Sequence, residues 1–424
     1  MQKSLTGIFF AFVFFLSSAS AQNVSDTLRL PLDSIEAIFL RQNFQLLAQR
    51  YNIDAQKALI IQARLYPNPN LSVANGPVWK LYNPEASFYN NSSLSASLTQ
   101  VVILAGKRNK QVRIAEANAK LSEYQFYDLV RTLKYTLRSD FFRVYYLNRS
   151  STVYNEEILA LQRVVKAFVE QQQKGYIAEK EVVRIKAQLY GLQNEYNDLV
   201  NQILETETEL RLILQVKPNW FVDPVPDLAA LSNLNPTKYT LAALVDSAYQ
   251  NRTDLQIVRM GTEIDKLNYN YQRALAVPDI TLSFSYDQQG SYVNNFNAVG
   301  ASIDLPLFNR NQGNIKSAKA AIENSSALQK STEATVEGNV QAALQKAINA
   351  DRMFRNIDPE FGRDFNRLQK EVLANYEKRN ISILDFLDFY DSYKQNVLQA
   401  NQVYFNRVNA FEEINFYTGT NFFN

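Results

Sequence analysis

The sequence has no cysteine and no histidine. Without histidine, the usual general base near neutral pH and the commonest metal ligand are missing. With both residues absent, a zinc site of standard type cannot be built. Aspartate and glutamate remain for acid–base work, but no catalytic, cofactor-binding or metal-binding constellation is legible, and no glycine loop of the phosphate-cradling kind occurs. An enzyme is therefore not expected. Net charge is nearly absent too, with 44 basic residues against 42 acidic. Nucleic acid is not expected as a partner, because phosphate binding needs concentrated positive charge. Methionine is scarce: beyond the N-terminal region only Met260 and Met353 occur, which speaks against a methionine relay for soft copper(I).

Long apolar runs are also missing. The longest, Ile8 to Leu16, covers about nine residues, too few to span a bilayer. It follows Lys3 and precedes Ala19-Ser20-Ala21, the pattern of a secretory signal peptide cleaved before Gln22. No cysteine follows the cleavage site, so a lipoprotein is not expected. Nothing later approaches the roughly 18 apolar residues of a membrane helix. If the mature chain enters a membrane, it must do so as a β-barrel.

The chain repeats itself once. Asn43-Phe44-Gln45-Leu46 corresponds to Arg252-Thr253-Asp254-Leu255, Pro69-Asn70-Leu71-Ser72 to Pro278-Asp279-Ile280-Thr281, and Tyr176-Ile177-Ala178 to Asn380-Ile381-Ser382. The offset is about 209 residues at Pro69 and Pro278 and about 204 at Tyr176 and Asn380, a drift that small loop insertions explain. The expected organisation is a signal peptide over 1–21, a first repeat over 22–216, a connector over 217–239 and a second repeat over 240–424. Pro218, Pro224, Pro226 and Pro236 keep the connector from forming a continuous helix.

Each repeat reads as helix, strand, strand, long helix, turn, helix. From Lys107 to Lys174 there is neither proline nor glycine, and Leu129, Leu133, Leu137, Phe141 and Val144 recur at helical spacing. Such a helix would be roughly 100 Å long at 1.5 Å per residue. A return helix to Val216 (roughly 60 Å) and a lead helix from Ser34 to Leu65 (roughly 48 Å) would together match it. The second copy predicts a lead helix from Thr240 to Ala276, a long arm from Asn314 to Lys378 that Pro359 restarts, and a return from Ile381 to Tyr417. Helices of this kind by themselves suit a non-channel periplasmic coiled-coil protein.

The strands point elsewhere. Leu94, Ala96 and Leu98 alternate with Ser93, Ser95, Ser97 and Thr99; Ile280, Leu282, Phe284 and Tyr286 alternate with Asp279, Thr281, Ser283, Ser285 and Asp287. Leu71 and Val73, and Val299, Ala301, Ile303 and Leu305, follow the same rule. One face is apolar, and the other carries small hydroxyls and carboxylates suited to a water-filled lumen. Trp79, Tyr82, Phe88, Tyr89, Tyr292 and Phe296 cluster at the loops joining each strand pair, where a membrane interface favours rings with one wet end. Four strands cannot enclose a lumen, whereas twelve from three subunits can. The expected fold class is mainly α with a membrane β-barrel: a trimeric 12-stranded barrel continued by a long α-helical barrel.

Over the mature chain this organisation resembles the TolC-type outer-membrane efflux family. The strings are Leu65-Tyr66-Pro67-Asn68-Pro69-Asn70-Leu71 before the first strand, Gln100-Val101-Val102-Ile103-Leu104-Ala105-Gly106-Lys107-Arg108 at the first strand-to-helix exit, and Leu305-Pro306-Leu307-Phe308-Asn309-Arg310-Asn311-Gln312-Gly313 at the second. The two exits look most like the cobalt-zinc-cadmium resistance branch. That resemblance implies an outer-membrane exit duct with a periplasmic extension, serving a proton-driven (RND-type) inner-membrane pump through a periplasmic adaptor (membrane fusion protein). Drug efflux or type I protein secretion remains the alternative, since substrate choice lies upstream in the pump.

The resemblance also places functional positions. Adaptor docking falls at the hairpin tips, Gly175-Tyr176-Ile177 and Arg379-Asn380-Ile381-Ser382. An acidic periplasmic gate falls near Asp385, Asp388 and Asp391, which recur every third residue on one helix face and become rings of carboxylates in a trimer. Asp385 and Asp388 are favoured over Asp391. Glu156-Glu157, the Glu205, Glu207 and Glu209 series, and Glu412-Glu413 read as solvated or salt-bridging helix faces.

Overall fold

A computed structural model describes residues 26–76, 93–290, 292–358, 367–368, 371–372, 374–376, 378 and 380–423. Its elements in chain order begin with β1 (Asp26–Leu30), α1 (Leu32–Gln42), α2 (Phe44–Arg64), β2 (Asn70–Gly76) and β3 (Ser93–Val102). Then come α3 (Lys107–Gln173), α4 (Glu179–Leu214), β4 (Trp220–Pro224) and α5 (Leu228–Ser232). The second copy supplies α6 (Leu241–Asn251), α7 (Thr253–Leu275), β5 (Ile280–Asp287), β6 (Phe296–Ile303), α8 (Gln312–Arg355) and α9 (Ile383–Thr418).

Helix α3 runs unbroken for 67 residues, roughly 100 Å. Each lead helix, by contrast, is broken in two where the sequence reading had one. Asn43 adopts φ −66 and ψ 120, and Arg252 φ −68 and ψ 120, so the same extended residue interrupts both copies. The Asn43 carboxamide accepts from the Gln45 and Leu46 amides, capping α2, and donates to the Ile213 carbonyl at 2.8 Å. A short side chain that satisfies the first orphan amides competes with helix continuation. In the second long arm, α8 ends at Arg355; Pro359 lies outside the described residues, and 367–368, 371–372 and 374–376 are helical.

The core is strung along the molecule rather than gathered in one globule. One cluster packs Phe39 of α1, Phe141 of α3, Leu210 and Leu214 of α4 and Val222 of β4. A second joins Leu161 of α3, Ile185 and Leu192 of α4, and Phe386 of α9. A third holds Leu244 of α6, Val340 and Ala347 of α8, and Phe411 of α9. Helix α9 contributes to all three. The connector is not a free linker: β4 pairs in parallel with β1, Leu28 opposite Val222, and Arg407 of α9 donates to the Leu231 and Leu234 carbonyls while pairing with the buried Asp351.

Strands β2, β3, β5 and β6 form one antiparallel sheet in that order, so β3 and β5 join the two copies. The register runs Leu71, Leu98, Phe284, Val299 across one face and Ser72, Ser97, Ser285, Ala298 across the other. The apolar row lies open, with Leu71 67% and Val299 85% exposed. A contiguous apolar face of this kind marks a surface made for lipid or another chain. The outer edges of β2 and β6 have no partner strand among the described residues.

Candidate functional site

The first hairpin tip is a helix C-terminus closed by a left-handed glycine. Gly175, at φ +78, donates to the Gln172 carbonyl at 2.8 Å, and Tyr176 donates to Gln171 at 2.9 Å. These two bonds make a Schellman motif, which satisfies the last carbonyls of α3 and needs a positive φ that glycine supplies without strain. Tyr176 then stands out, 72% exposed.

The second tip repeats the longer bond: Asn380 donates to the Asn375 carbonyl at 2.9 Å, as Tyr176 does to Gln171. Arg379 lies outside the described residues. Ser382 begins α9 with a capping box, its hydroxyl accepting from the Asp385 amide while its own amide donates to the Asp385 carboxylate at 3.3 Å. Between the tips lies a cleft of about 560 Å3 lined by Phe168, Tyr176, Ile177, Tyr376, Ile381 and Ile383 among others. Tyr376 stacks on Phe386 at 4.4 Å between centroids, and its hydroxyl is buried without a hydrogen-bond partner among the described residues.

The acidic stripe divides. Asp385 belongs to the capping box. Asp388 is exposed and forms no ion pair among the described residues. Asp391 lies 3.1 Å from the Lys394 ammonium, which also reaches Glu195 of α4 at 2.8 Å and stands 5.8 Å from the Tyr154 ring centroid. Lys394 is only 1% exposed. Burial works against its charge, but hydrogen bonds to Glu195 and Asp391 outweigh it and hold its pKa above that of an ordinary lysine. Nothing in the sequence marked Lys394 or Glu195; the spacing of Lys394 three after Asp391 was the one available signal.

Two carboxylates expected on solvated or salt-bridging helix faces are buried. Glu157 is 2% and Glu207 3% exposed, each with one oxygen lacking a partner among the described residues. They sit on the faces where α3 and α4 contribute to the core, and burial pushes both up to about 7. Glu412 pairs with Arg138 and Glu413 with Lys346, as expected of inter-helix salt bridges. Trp79, Tyr82, Phe88 and Tyr89 lie outside the described residues. Tyr292 and Phe296 stand at the β5–β6 turn, both exposed.

Among the described residues no helix is long and apolar enough to cross a membrane, and no group of three or more carboxylates stands close enough to hold a metal ion. An amphipathic antiparallel sheet at one end and paired helical hairpins extending from it define an outer-membrane channel of the TolC-like kind. The chain belongs to the outer membrane efflux protein family, whose model matches residues 38–215 and 244–420. It is a channel rather than an enzyme. It is similar to the cobalt-zinc-cadmium resistance protein CzcC of Cupriavidus metallidurans, 20% identical over 289 residues. That match covers 68% of this chain and 66% of the relative, just under two thirds of its length. Among solved structures it is similar to the CmeC outer membrane channel of Campylobacter jejuni, with a TM-score of 0.74, 14% identity, and coverage of 92% of this chain and 86% of that one. CusC superimposes with a TM-score of 0.73 at 14% identity, covering 92% of each chain.

Proposed function

We propose that three copies of this chain close a 12-stranded barrel in the outer membrane, and that the duct passes heavy-metal cations outward. The observation that carries the barrel is the apolar row Leu71, Leu98, Phe284, Val299, open on a sheet whose two edges have no partner strand among the described residues. In lipid such edges must be paired, and only closure provides that. The metal assignment draws on the similarity to a protein named for cobalt-zinc-cadmium resistance. A duct for hydrated cations needs no coordinating side chains, and none are required of this chain.

In this reading export uses a cleaved signal peptide over 1–21, with no lipid anchor. The repeats over 22–216 and 240–424 flank the connector at the girth of the tube. A periplasmic adaptor docks at Gly175, Tyr176 and Ile177 and at Arg379, Asn380, Ile381 and Ser382, linking the duct to an RND-type pump. The apolar cleft between the tips and the Tyr376 hydroxyl, which has no hydrogen-bond partner among the described residues, support a protein ligand there. Asp385 and Asp388 line the periplasmic mouth as carboxylate rings, with Asp391 held aside by Lys394. The aromatic residues Trp79, Tyr82, Phe88, Tyr89, Tyr292 and Phe296 form the membrane belt. Deletion of the gene should sensitise cells to zinc, cobalt and cadmium, with plasmid-borne protein restoring tolerance. Unchanged tolerance to all three would remove the metal assignment.

A further inference from the structure

The charges beside the sheet are sorted by end. Where the strands hand over to the long helices, Ile103 to Ala115 holds Lys107, Arg108, Lys110 and Arg113 and no acidic residue. In the second copy Leu305 to Ile322 holds Arg310, Lys316 and Lys319, again with no acidic residue. At the opposite end, Asp287 is the one charged residue from Asp287 to Phe296, and the β2–β3 connection carries Lys80 and Glu85, which cancel. A chain with 44 basic residues against 42 acidic thus gathers unbalanced positive charge at one rim.

The fold puts these cations at one height. Gly106 (φ +65) before α3 and Asn311 (φ +58) before α8 are equivalent left-handed caps. The ends of the lead helices are tied to them. Arg108 donates to the Arg64 carbonyl of α2 at 3.5 Å, Gln111 to the Tyr271 hydroxyl of α7 at 2.6 Å, and Asn311 to the Gln272 carbonyl at 2.7 Å. The cations therefore fall within about three helical turns of the sheet.

Local structure does not account for them. A helix N-terminus favours negative charge, yet Lys107, Arg108 and Lys110 stand in the first turn of α3, and neither α3 nor α8 has an acidic residue there. Ion pairing explains Lys107, buried against Asp279, and Arg64, paired with Glu116. Arg108, Lys110, Arg113, Arg310 and Lys316 form no ion pair among the described residues, and Arg113, Arg310 and Lys316 are exposed. Apolar groups reach past the strands beside them: Tyr66 is 68% exposed ahead of β2, and Leu305 72% and Phe308 93% after β6. The Arg108 guanidinium lies 3.9 Å from the Tyr66 ring centroid. Long cationic side chains beside exposed rings suit a boundary where hydrocarbon gives way to charged headgroups.

We propose that this rim binds the phosphate headgroups of anionic phospholipids in the periplasmic leaflet, an inference that rests on the outer-membrane barrel read above. The long helices leave the sheet at this end, which sets the leaflet. The open apolar row of the sheet takes the acyl chains, while Lys110, Arg113 and Lys316 complement the headgroup charge.

Lipids retained by the mature protein in neutral detergent, counted by native mass spectrometry, test this with phosphatidylglycerol against phosphatidylcholine of the same acyl chains. Wild-type trimers should prefer phosphatidylglycerol, and the preference should weaken as ionic strength rises. Lys110→Gln with Arg113→Gln and Lys316→Gln should lower phosphatidylglycerol affinity roughly tenfold or more and leave phosphatidylcholine unchanged. The charge-preserving set Lys110→Arg, Arg113→Lys and Lys316→Arg should keep the preference. So should Lys166→Gln with Lys180→Gln and Lys330→Gln, which removes exposed cations farther along the helices.

Equal retention of the two lipids by wild-type trimers overturns the basic rim and leaves the barrel standing. Inorganic phosphate displacing phosphatidylglycerol at equal concentration also overturns it, since the rim then takes free anions. Glutamine-variant trimers that fall apart in lipid-free detergent do the same, because the cations then pair between subunits. Altered ion selectivity in planar bilayers with unaltered phosphatidylglycerol retention puts the cations in the lumen and likewise overturns the proposal. Wild-type protein that is monomeric and soluble without detergent removes the barrel reading itself.

Discussion

The Lys394 ammonium of α9 lies 2.8 Å from the Glu195 carboxylate of α4, residues separated by 199 positions in the chain. The contact crosses the packed face of α3 beside Tyr154 and Glu157 and ties the return helices of the two copies together. The same ammonium pairs with Asp391, whereas Asp388 forms no ion pair among the described residues.

Lys394→Met should therefore act twice. With the lysine gone, Glu195, Asp391 and Glu157 face one another uncompensated, and we expect a loss of about 1–3 kcal/mol in the stability of the detergent-solubilised protein. Thermal unfolding of wild type and variant at one pH measures it; an unchanged midpoint would sink the idea.

The same substitution frees Asp391, which leads to conductance. In planar bilayers Asp388→Asn should lower cation selectivity and relieve block by divalent ions, while Asp391→Asn should do little because Lys394 already neutralises that carboxylate. Asp385→Asn is a poorer probe, since Asp385 also caps α9. Equal effects from Asp388→Asn and Asp391→Asn would contradict the division of the stripe.

Burial pushes Asp140, Glu157 and Glu207 each to about 7, and each has an oxygen without a partner among the described residues. A carboxyl whose folded pKa is raised binds more protons folded than unfolded, so its contribution to stability falls as pH rises from the unfolded value to the folded one. For Glu157 the window runs from 4.5 to about 7, with a cost on the order of 3 kcal/mol at its top. Glu157→Gln should gain on wild type as pH climbs through that window and hold the gain above it. Denaturation at pH 4.5 and pH 8 tests this; a difference that does not grow with pH argues against a buried, raised carboxyl.

At the first tip, Tyr176 is exposed and outside the core, so Tyr176→Glu should abolish efflux while trimers still assemble. Metal tolerance and native gels together read the outcome. Ile381→Glu should do the same less cleanly, because Ile381 also packs against the second core cluster. Full tolerance in Tyr176→Glu would remove adaptor docking from this tip.

Much of this was open to a reader of the chain. Proline- and glycine-free periodicity from Lys107 to Lys174 announced α3, which runs Lys107–Gln173, to within a residue, because burying one side of a helix imposes a local period. Two-residue alternation located all four barrel strands for the same reason. The duplication is likewise written in order along the chain.

What the sequence by itself determined is this periodic skeleton: which stretches are helix, which are strand, which side of each is apolar, and that the unit occurs twice. Tertiary structure decided the rest. It broke the lead helices at Asn43 and Arg252, set β3 beside β5 with Leu98 opposite Phe284, buried Glu157 and Glu207, and gave Asp391 but not Asp388 a lysine among the described residues. The physical reason is range. A period repeats within a few residues of itself, whereas a strand neighbour, a buried carboxyl or an ion pair depends on groups far along the chain, and only folding brings those within reach.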